Sequence, residues 1–158
     1  MDKLALDTAL DDPSCAGTAV LSLPAGALPQ GNPDPRSRKL ACVDAAAGQL
    51  SQLQHIIIAV DGDAPGLATA QALRLKLKSL QQLTRQHGAT PKSQQLWLLP
   101  WPTAPGGEAT LTRAAAEAAK HGMEVDQAAA SRCKDANDVL RVCGFKFLRF
   151  YVGQANKL

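Results

Sequence analysis

The stretch "HIIIAVDGDAPGLA", His55 to Ala68, runs an apolar segment into two aspartates separated by one glycine, then into Pro-Gly and the start of a helical pattern. A short, β-branched apolar run bounded by turn residues reads as a buried strand, here Ile56–Val60. Beyond Gly66, the residues Leu67, Ala70, Leu73, Leu77 and Leu80 fall on one stripe, while Arg74, Lys78, Gln81 and Arg85 lie elsewhere. That spacing predicts an amphipathic helix to about Gln86, ended by Gly88 and Pro91. A second strand, Leu96–Leu99, follows before Pro100-Trp101-Pro102. Strands alternating with a helix of this length imply a βαβ unit, hence a parallel sheet and an α/β class.

In such a sheet ligands bind beyond the C-terminal ends of the strands, where Asp61 and Asp63 would stand. Like charges at i and i+2 repel each other, but a divalent ion turns the repulsion into attraction. Gly62 would let the backbone turn so that both carboxylates face one Mg²⁺, a hard cation that takes oxygen ligands and keeps several waters. The alternative is a solvated turn, because Asp and Gly are ordinary residues after a strand. Pro65 and Gly66 open a helix whose free amides would attract phosphate, or they are a plain helix start. Lys134-Asp135 forms a second charged pair before a helical pattern, with Asp135 either part of a site or only an N-cap.

Composition bounds the rest. The chain has 158 residues, 46% of them hydrophobic and 4% aromatic, with a formal net charge of +3. That is enough for one domain with a core of Leu, Ala, Val and Ile, and the mild basicity permits contact with nucleic acid without requiring it. Cys15, Cys42, Cys133 and Cys143 lie far apart with no Cys-x-x-Cys, so neither a zinc site nor a disulfide framework is indicated. No run reaches the roughly 18–20 apolar residues that span a bilayer, and the acidic start (Asp2, Asp7, Asp11, Asp12) is unlike a signal or transit peptide. The basic residues Arg74, Lys76, Lys78, Arg85 and Lys92 spread around their helix and read as a solvated surface. Trp97 and Trp101 read as core, with base stacking the alternative.

Further elements follow from periodicity. A short helix is expected over Met1–Leu10, a strand over Thr18–Leu23, a Pro- and Gly-rich loop over Pro24–Pro35, and a helix over Leu40–Gln54 capped by Ser37 or Asp34. The Ala-rich, polar segment 103–132 reads as an insertion holding one helix, Glu108–Lys120. Asp135–Val142 predicts a last short helix with Gly144 at its end, and Phe145–Leu158 fits helix or strand equally.

Taken together, "IIIAVDGDAPG" and the later "KDANDVL" resemble the Toprim domain, and more narrowly that of phage-type primase-helicases and their Twinkle-like organellar relatives. The Asp-x-Asp-x-x-Gly block is common to Toprim proteins, whereas "KDANDVL" is the discriminating piece. "VLSLPAGAL" is similar to that group's Ser-x-Pro-x-Gly-Ala loop and "MDKLALDTA" to the helix after its first strand. The resemblance covers nearly the whole chain as one partial domain, 1–158, with 76–92 and 103–132 as looser segments. It implies a Rossmann-like parallel sheet flanked by helices. It also implies that Asp61 and Asp63 are the metal-binding and catalytic pair, that Asp135 and Asp2 add to the metal site, and that Gly66 and Lys134 contact nucleotide phosphate. The cofactor would be Mg²⁺, with Mn²⁺ as a substitute.

The implied activity is that of a DNA primase, which makes RNA primers from ribonucleotides on a single-stranded DNA template during replication. The chain departs from the family at its start: Met1 falls inside the Glu-Gly-Glu-x-Asp motif, so the first strand and its glutamate are expected to be missing. Loss of a proton-handling carboxylate costs on the order of 10²–10⁴ in rate. A fragment is therefore expected, and the alternative is a catalytically inactive Toprim remnant that binds DNA or a partner. A Toprim nuclease or topoisomerase is disfavoured by "KDANDVL" and by the lack of any tyrosine other than Tyr151. No Gly-x-x-x-x-Gly-Lys-Ser/Thr is present, so the helicase module that relatives carry in the same chain is not expected here. Relatives act in plastids or mitochondria, and the resemblance alone suggests those compartments.

Overall fold

The computed structural model of the chain describes residues 2–11, 13, 18, 20, 22–23, 26–29, 31, 33–86 and 94–157. Its elements are α1 (Asp2–Leu10), a 3-10 turn (Arg38–Leu40), α2 (Ala41–Ala45), α3 (Ala47–Leu50), β1 (His55–Ile58), α4 (Ala64–Gln86), β2 (Gln95–Leu98), α5 (Gly107–Lys120), α6 (Gln127–Ala130), α7 (Ala136–Val152) and β3 (Asn156–Lys157). The chain is mixed α/β and divides into two compact units. One comprises Met1–Ser22, Asp61–Asp63 and Leu99–Ala155; the other comprises Leu23–Val60, Ala64–Leu98 and Asn156–Leu158.

The second of these units holds the sheet, in the order β1-β2-β3. β1 and β2 are parallel, with His55 opposite Gln95 and Ile58 opposite Leu98, and α4 connects them as the expected βαβ crossover. β3 adds an antiparallel edge, Trp97 opposite Lys157. Both main strands begin and end slightly earlier than the apolar runs suggested. Backbone pairing sets the limits of a strand, and Ala59, Val60 and Leu99 are apolar without being in the ladder. The core of this unit gathers Leu28, Leu40, Val43, Ile58, Leu73, Leu77 and Leu96 around the buried stripe of α4.

Polar residues inside this unit are satisfied individually. Thr69, 1% exposed, donates its hydroxyl to the Pro65 carbonyl at 2.8 Å and accepts the Leu28 N–H at 2.7 Å. That pins a loop to the first turns of α4 without leaving a buried group unpaired. Lys76 departs from the solvated-surface reading of its helix. It is 9% exposed, and its ammonium pairs with Asp44 at 2.8 Å and donates to the Pro35 carbonyl at 3.1 Å. The Gln94 side chain donates to the carbonyls of Leu50 and Leu53 just before β2. On the sheet, the Trp97 indole N–H donates to His55 Nδ1 at 3.3 Å, a diagonal cross-strand pair, so Trp97 is occupied structurally.

Two expectations failed in this region. The single helix Leu40–Gln54 is a 3-10 turn and two short helices interrupted at Ala46. Only Leu40 and Val43 of this stretch are buried, too few anchors to hold one continuous helix against its own entropy. Ser37 does cap the turn, accepting the Lys39 N–H at 3.4 Å, and Asp34 accepts the Arg36 N–H at 2.8 Å. Of the strand expected over Thr18–Leu23, Ala19 and Leu21 lie outside the described residues, and the other four carry no strand pairing. A β-branched, apolar run becomes a strand only when a ladder partner is available to it. The helix stop expected at Gly88 and Pro91 also lies outside the described residues.

The first unit is helical. α1 and α5 pack against α7, and α6 packs on both α5 and α7. Segment 103–132, expected as an insertion, supplies Leu111, Ala114 and Ala118, all at most 3% exposed. Ala114 and Ala118 are small and fully buried where α5 meets its neighbours, a role that an Ala-rich composition does not announce. α7 extends through the ambiguous tail to Val152, with a break at Gly144, whose φ of 81° and ψ of 169° end one helical stretch before another starts. Behind it Trp101 and Tyr151 stack with centroids 5.7 Å apart, and the Tyr151 hydroxyl donates to the Pro100 carbonyl at 2.7 Å. Trp101 is thus core. None of the described helices is long and apolar enough to cross a membrane.

Tyr151 yields a stability prediction. Burial pushes its phenol above the ordinary tyrosine range. A raised folded-state pKa contributes stability that is fully present below about pH 10 and lost as pH rises further. Tyr151→Phe keeps the ring but strips the Pro100 carbonyl of its donor, so the melting midpoint at pH 7 should fall by the equivalent of about 1–2 kcal/mol. The alkaline loss of stability above pH 10, followed by circular dichroism, should be shallower in the variant than in the parent.

Candidate active site

Asp61-Gly62-Asp63 occupies the link between β1 and α4, and it belongs to the helical unit together with Lys134 and Asp135. The Gly62 N–H donates to the Lys134 carbonyl at 2.8 Å. The Thr103 N–H donates to the adjacent Cys133 carbonyl at 3.3 Å. Two consecutive carbonyls are therefore stitched to two loops, one following β1 in the chain and the other following β2. The two sequence blocks singled out from the primary structure meet here through backbone groups.

Gly62 is required for a reason other than the one its sequence suggested. It does not adopt a positive φ among the glycines that do. A Cβ placed on it would lie 2.9 Å from Thr103 Oγ1, 3.3 Å from the Lys134 carbonyl oxygen and 3.5 Å from the Ala104 Cβ. Close approach of three chain segments, rather than freedom to turn, crowds a side chain here, so that Thr103 or the Lys134 segment would have to shift to admit one.

Asp135 is the N-cap of α7: its backbone is extended, with φ −153° and ψ 175°, and its Oδ1 accepts the Asp138 N–H at 2.8 Å. Asp138 reaches back in turn, its Oδ2 accepting the Lys134 N–H at 3.3 Å. This is a capping box shifted by one residue, and it holds the Lys134 backbone in the position that Gly62 meets. Asp138 was missed in the sequence although the Asp-x-x-Asp spacing before an apolar run carried the signal. Asp61 and Asp135 are half-buried, whereas Asp63 and the Lys134 side chain are exposed. Gly66 is buried in the first turn of α4, in the other unit. Asp2 is the first residue of α1, and its side chain lies outside the description.

Beneath this junction lies Cys133, 2% exposed. Burial, then the neighbouring Cys143, Asp138 and Asp135, push its thiol up to about 11. Burial likewise raises Cys143. Both are ordinary reduced thiols.

Among the described residues, no group of three or more His, Cys, Asp or Glu side chains is arranged to hold a metal ion. The donors on the Asp61–Asp63 loop are two hard carboxylates. That set suits Mg²⁺, which is commonly held by one or two carboxylates with waters and substrate phosphate completing its shell. It does not suit zinc or another ion that needs a closed protein cage.

Comparison of the chain with family models, with curated proteins and with solved structures gave no match. What the fold defines is a mixed α/β protein with a two-stranded parallel pair and a short antiparallel edge.

Two outcomes test this geometry. Gly62→Ala forces Thr103 or the Lys134 segment to move, so the Gly62–Lys134 hydrogen bond should weaken. The residue-62 amide should then exchange with solvent at least about tenfold faster, which corresponds to some 1.4 kcal/mol of lost local protection. Cys133 should resist iodoacetamide at pH 8 until the protein is unfolded, since with a pKa of about 11 only about one thiol in a thousand is ionised there. Mass spectrometry with and without denaturant reads the difference.

Proposed function

We propose that this chain is a Toprim-type nucleotidyl-transfer domain, namely the Toprim portion of a DNA primase that makes RNA primers on single-stranded DNA from ribonucleotides. The observation supporting the reading is the hydrogen bond from Gly62 to Lys134, which joins the Asp-Gly-Asp loop to the Lys-Asp segment. The resemblance rested on those two blocks, far apart in sequence, and a chance likeness would not require them to touch.

In this reading Asp61 and Asp63 present carboxylate oxygens to Mg²⁺, with Mn²⁺ able to substitute. When bound, the ion would neutralise charge on a transferring phosphoryl group. The rest is positioning by the chain itself. Gly62 fixes the loop against Lys134, so the backbone that carries the two aspartates is held in place. Asp135 and Asp138 cap α7 and thereby fix where Lys134 stands. The Lys134 side chain, exposed and without a partner among the described residues, is available to phosphate. Gly66 lies in the first turn of α4, where helix amides favour an anion. A primase partnered by a helicase module, as in phage-type and Twinkle-like proteins of plastids or mitochondria, is the context that the resemblance implies.

A topoisomerase reading is disfavoured by Tyr151. Its phenol is 0% exposed, donates to a backbone carbonyl and is held protonated by burial, so it cannot serve as a nucleophile. A non-catalytic, nucleic-acid-binding domain is the second reading, favoured by the lack of a third acidic ligand among the described residues.

Primer synthesis from ribonucleotides on single-stranded DNA decides between them. The parent should form short RNA only with Mg²⁺ or Mn²⁺, and Asp61→Asn and Asp63→Asn should each lower the rate at least about 100-fold. Mg²⁺ at ten times its Kd should stabilise the parent by about 1.4 kcal/mol, seen as a higher melting midpoint, and should leave the double variant unchanged. Metal binding without synthesis would favour the second reading, and neither response would overturn both metal roles.

A further inference from the structure

A second feature of the helical unit lies beside Lys134, and its two arginines take no part in the roles given above. Ala129, Arg132, Cys133, Asp138, Arg141 and Val142 line an open cleft of about 360 Å³, within the roughly 300–1,000 Å³ usual for ligand sites. Its lining comes from two parts of the chain: Arg132 follows α6, and Arg141 stands on α7 about one and a half turns from the helix start.

The charges are distributed unevenly in their commitments. Three acids on these helices are engaged with helix ends. Asp126 caps α6, accepting the Ala129 N–H at 3.0 Å; Asp135 caps α7; and Asp138 accepts the Lys134 N–H. Neither guanidinium has a hydrogen bond or ion pair among the described residues, although Asp138 lines the same cleft. Two exposed arginines lining one cleft, neither committed to a carboxylate, are donors available to an anion that enters it. Cys133 is buried, Ala129 and Val142 are apolar, and Asp138, the one acid in the lining, has an oxygen committed to the Lys134 N–H. A planar guanidinium offers paired N–H donors that match two oxygens of one phosphate.

We infer that this cleft binds a phosphate ester, gripped by Arg132 and Arg141. The anion assignment stands on the cleft alone. Two sources share that chemistry: the phosphodiester backbone of a single-stranded polynucleotide, and the phosphates of a free nucleotide. Only the expectation that the polynucleotide is the occupant rests on the nucleotidyl-transfer reading. The cleft adjoins Lys134, so a strand lying in it would pass next to the Asp-Gly-Asp junction. Binding there needs no metal, which separates this site from Asp61 and Asp63.

The test is fluorescence anisotropy of a labelled 15-nucleotide oligothymidylate with the whole chain in EDTA, repeated at several salt concentrations and with ATP as competitor. The parent should bind, with an affinity that falls linearly on a log–log salt plot. Arg132→Ala and Arg141→Ala should each weaken binding about 3–10-fold, and the pair should lower the salt slope by about 1.4, at about 0.7 per lost contact on a single strand. Asp61→Asn with Asp63→Asn should bind as the parent does, so loss of primer synthesis and loss of the cleft are told apart. Arg132→Lys with Arg141→Lys keeps the charge and loses the fork, and should retain the slope with reduced affinity; it also serves if the alanine pair melts early. Displacement of the oligonucleotide by millimolar ATP identifies the nucleotide as the occupant, and resistance to it identifies the polynucleotide. A parent that binds neither, or a folded double-alanine variant that binds both as the parent does, overturns the inference.

Discussion

The hydrogen bond from the Gly62 amide to the Lys134 carbonyl is the constraint on which the candidate chemistry depends. It joins the loop after the first parallel strand to the segment before the last long helix, and a side chain at residue 62 would have to displace Thr103 or the Lys134 segment. A backbone bond holds its partners more stiffly than a contact between two long side chains, because no rotamer has to be frozen to make it. Two aspartates flanking such a fixed point have defined Cα positions.

A capping arrangement supports that constraint from the other side. Asp135 and Asp138 satisfy amides at the start of α7, and in doing so they set the Lys134 carbonyl in place. One residue thus serves as both a helix terminator and a candidate member of a charged site, and the two roles are compatible because the cap uses a single carboxylate oxygen. The same economy of acids leaves Arg132, Arg141 and the Lys134 ammonium without carboxylate partners among the described residues.

Stability is divided between two kinds of packing. Around α4, aliphatic side chains from strands and loops close on one helical stripe, with Thr69 and Lys76 paired inside it. In the helical unit, alanines of α5 and aromatic residues near α7 do the work, and the Trp101–Tyr151 stack is tied to the chain by the phenol hydrogen bond. The Ala-rich segment read as an insertion because its pattern is weaker than that of its neighbours. Its value is close helix approach, which exists only once the helices are assembled.

By itself the sequence determined the elements with strong periodicity. The βαβ unit, the long helix α4, the helix of α5, the Asp135 cap and the break at Gly144 were all legible, since each follows from local spacing or from a residue with unusual backbone freedom. Local pattern failed where a partner decides the outcome: the strand expected at Thr18–Leu23 has no ladder among the described residues, and the helix after Leu40 lacks enough buried anchors to stay whole. Candidate residues Asp61, Asp63, Lys134 and Asp135 could be named from the chain, but their meeting could not, nor could Asp138's reach back to Lys134 or the two arginines left unpaired in one cleft. Those depend on which backbone groups come within hydrogen-bond distance after collapse. Only the tertiary structure decides that, because contacts between distant residues are chosen by packing, not by spacing.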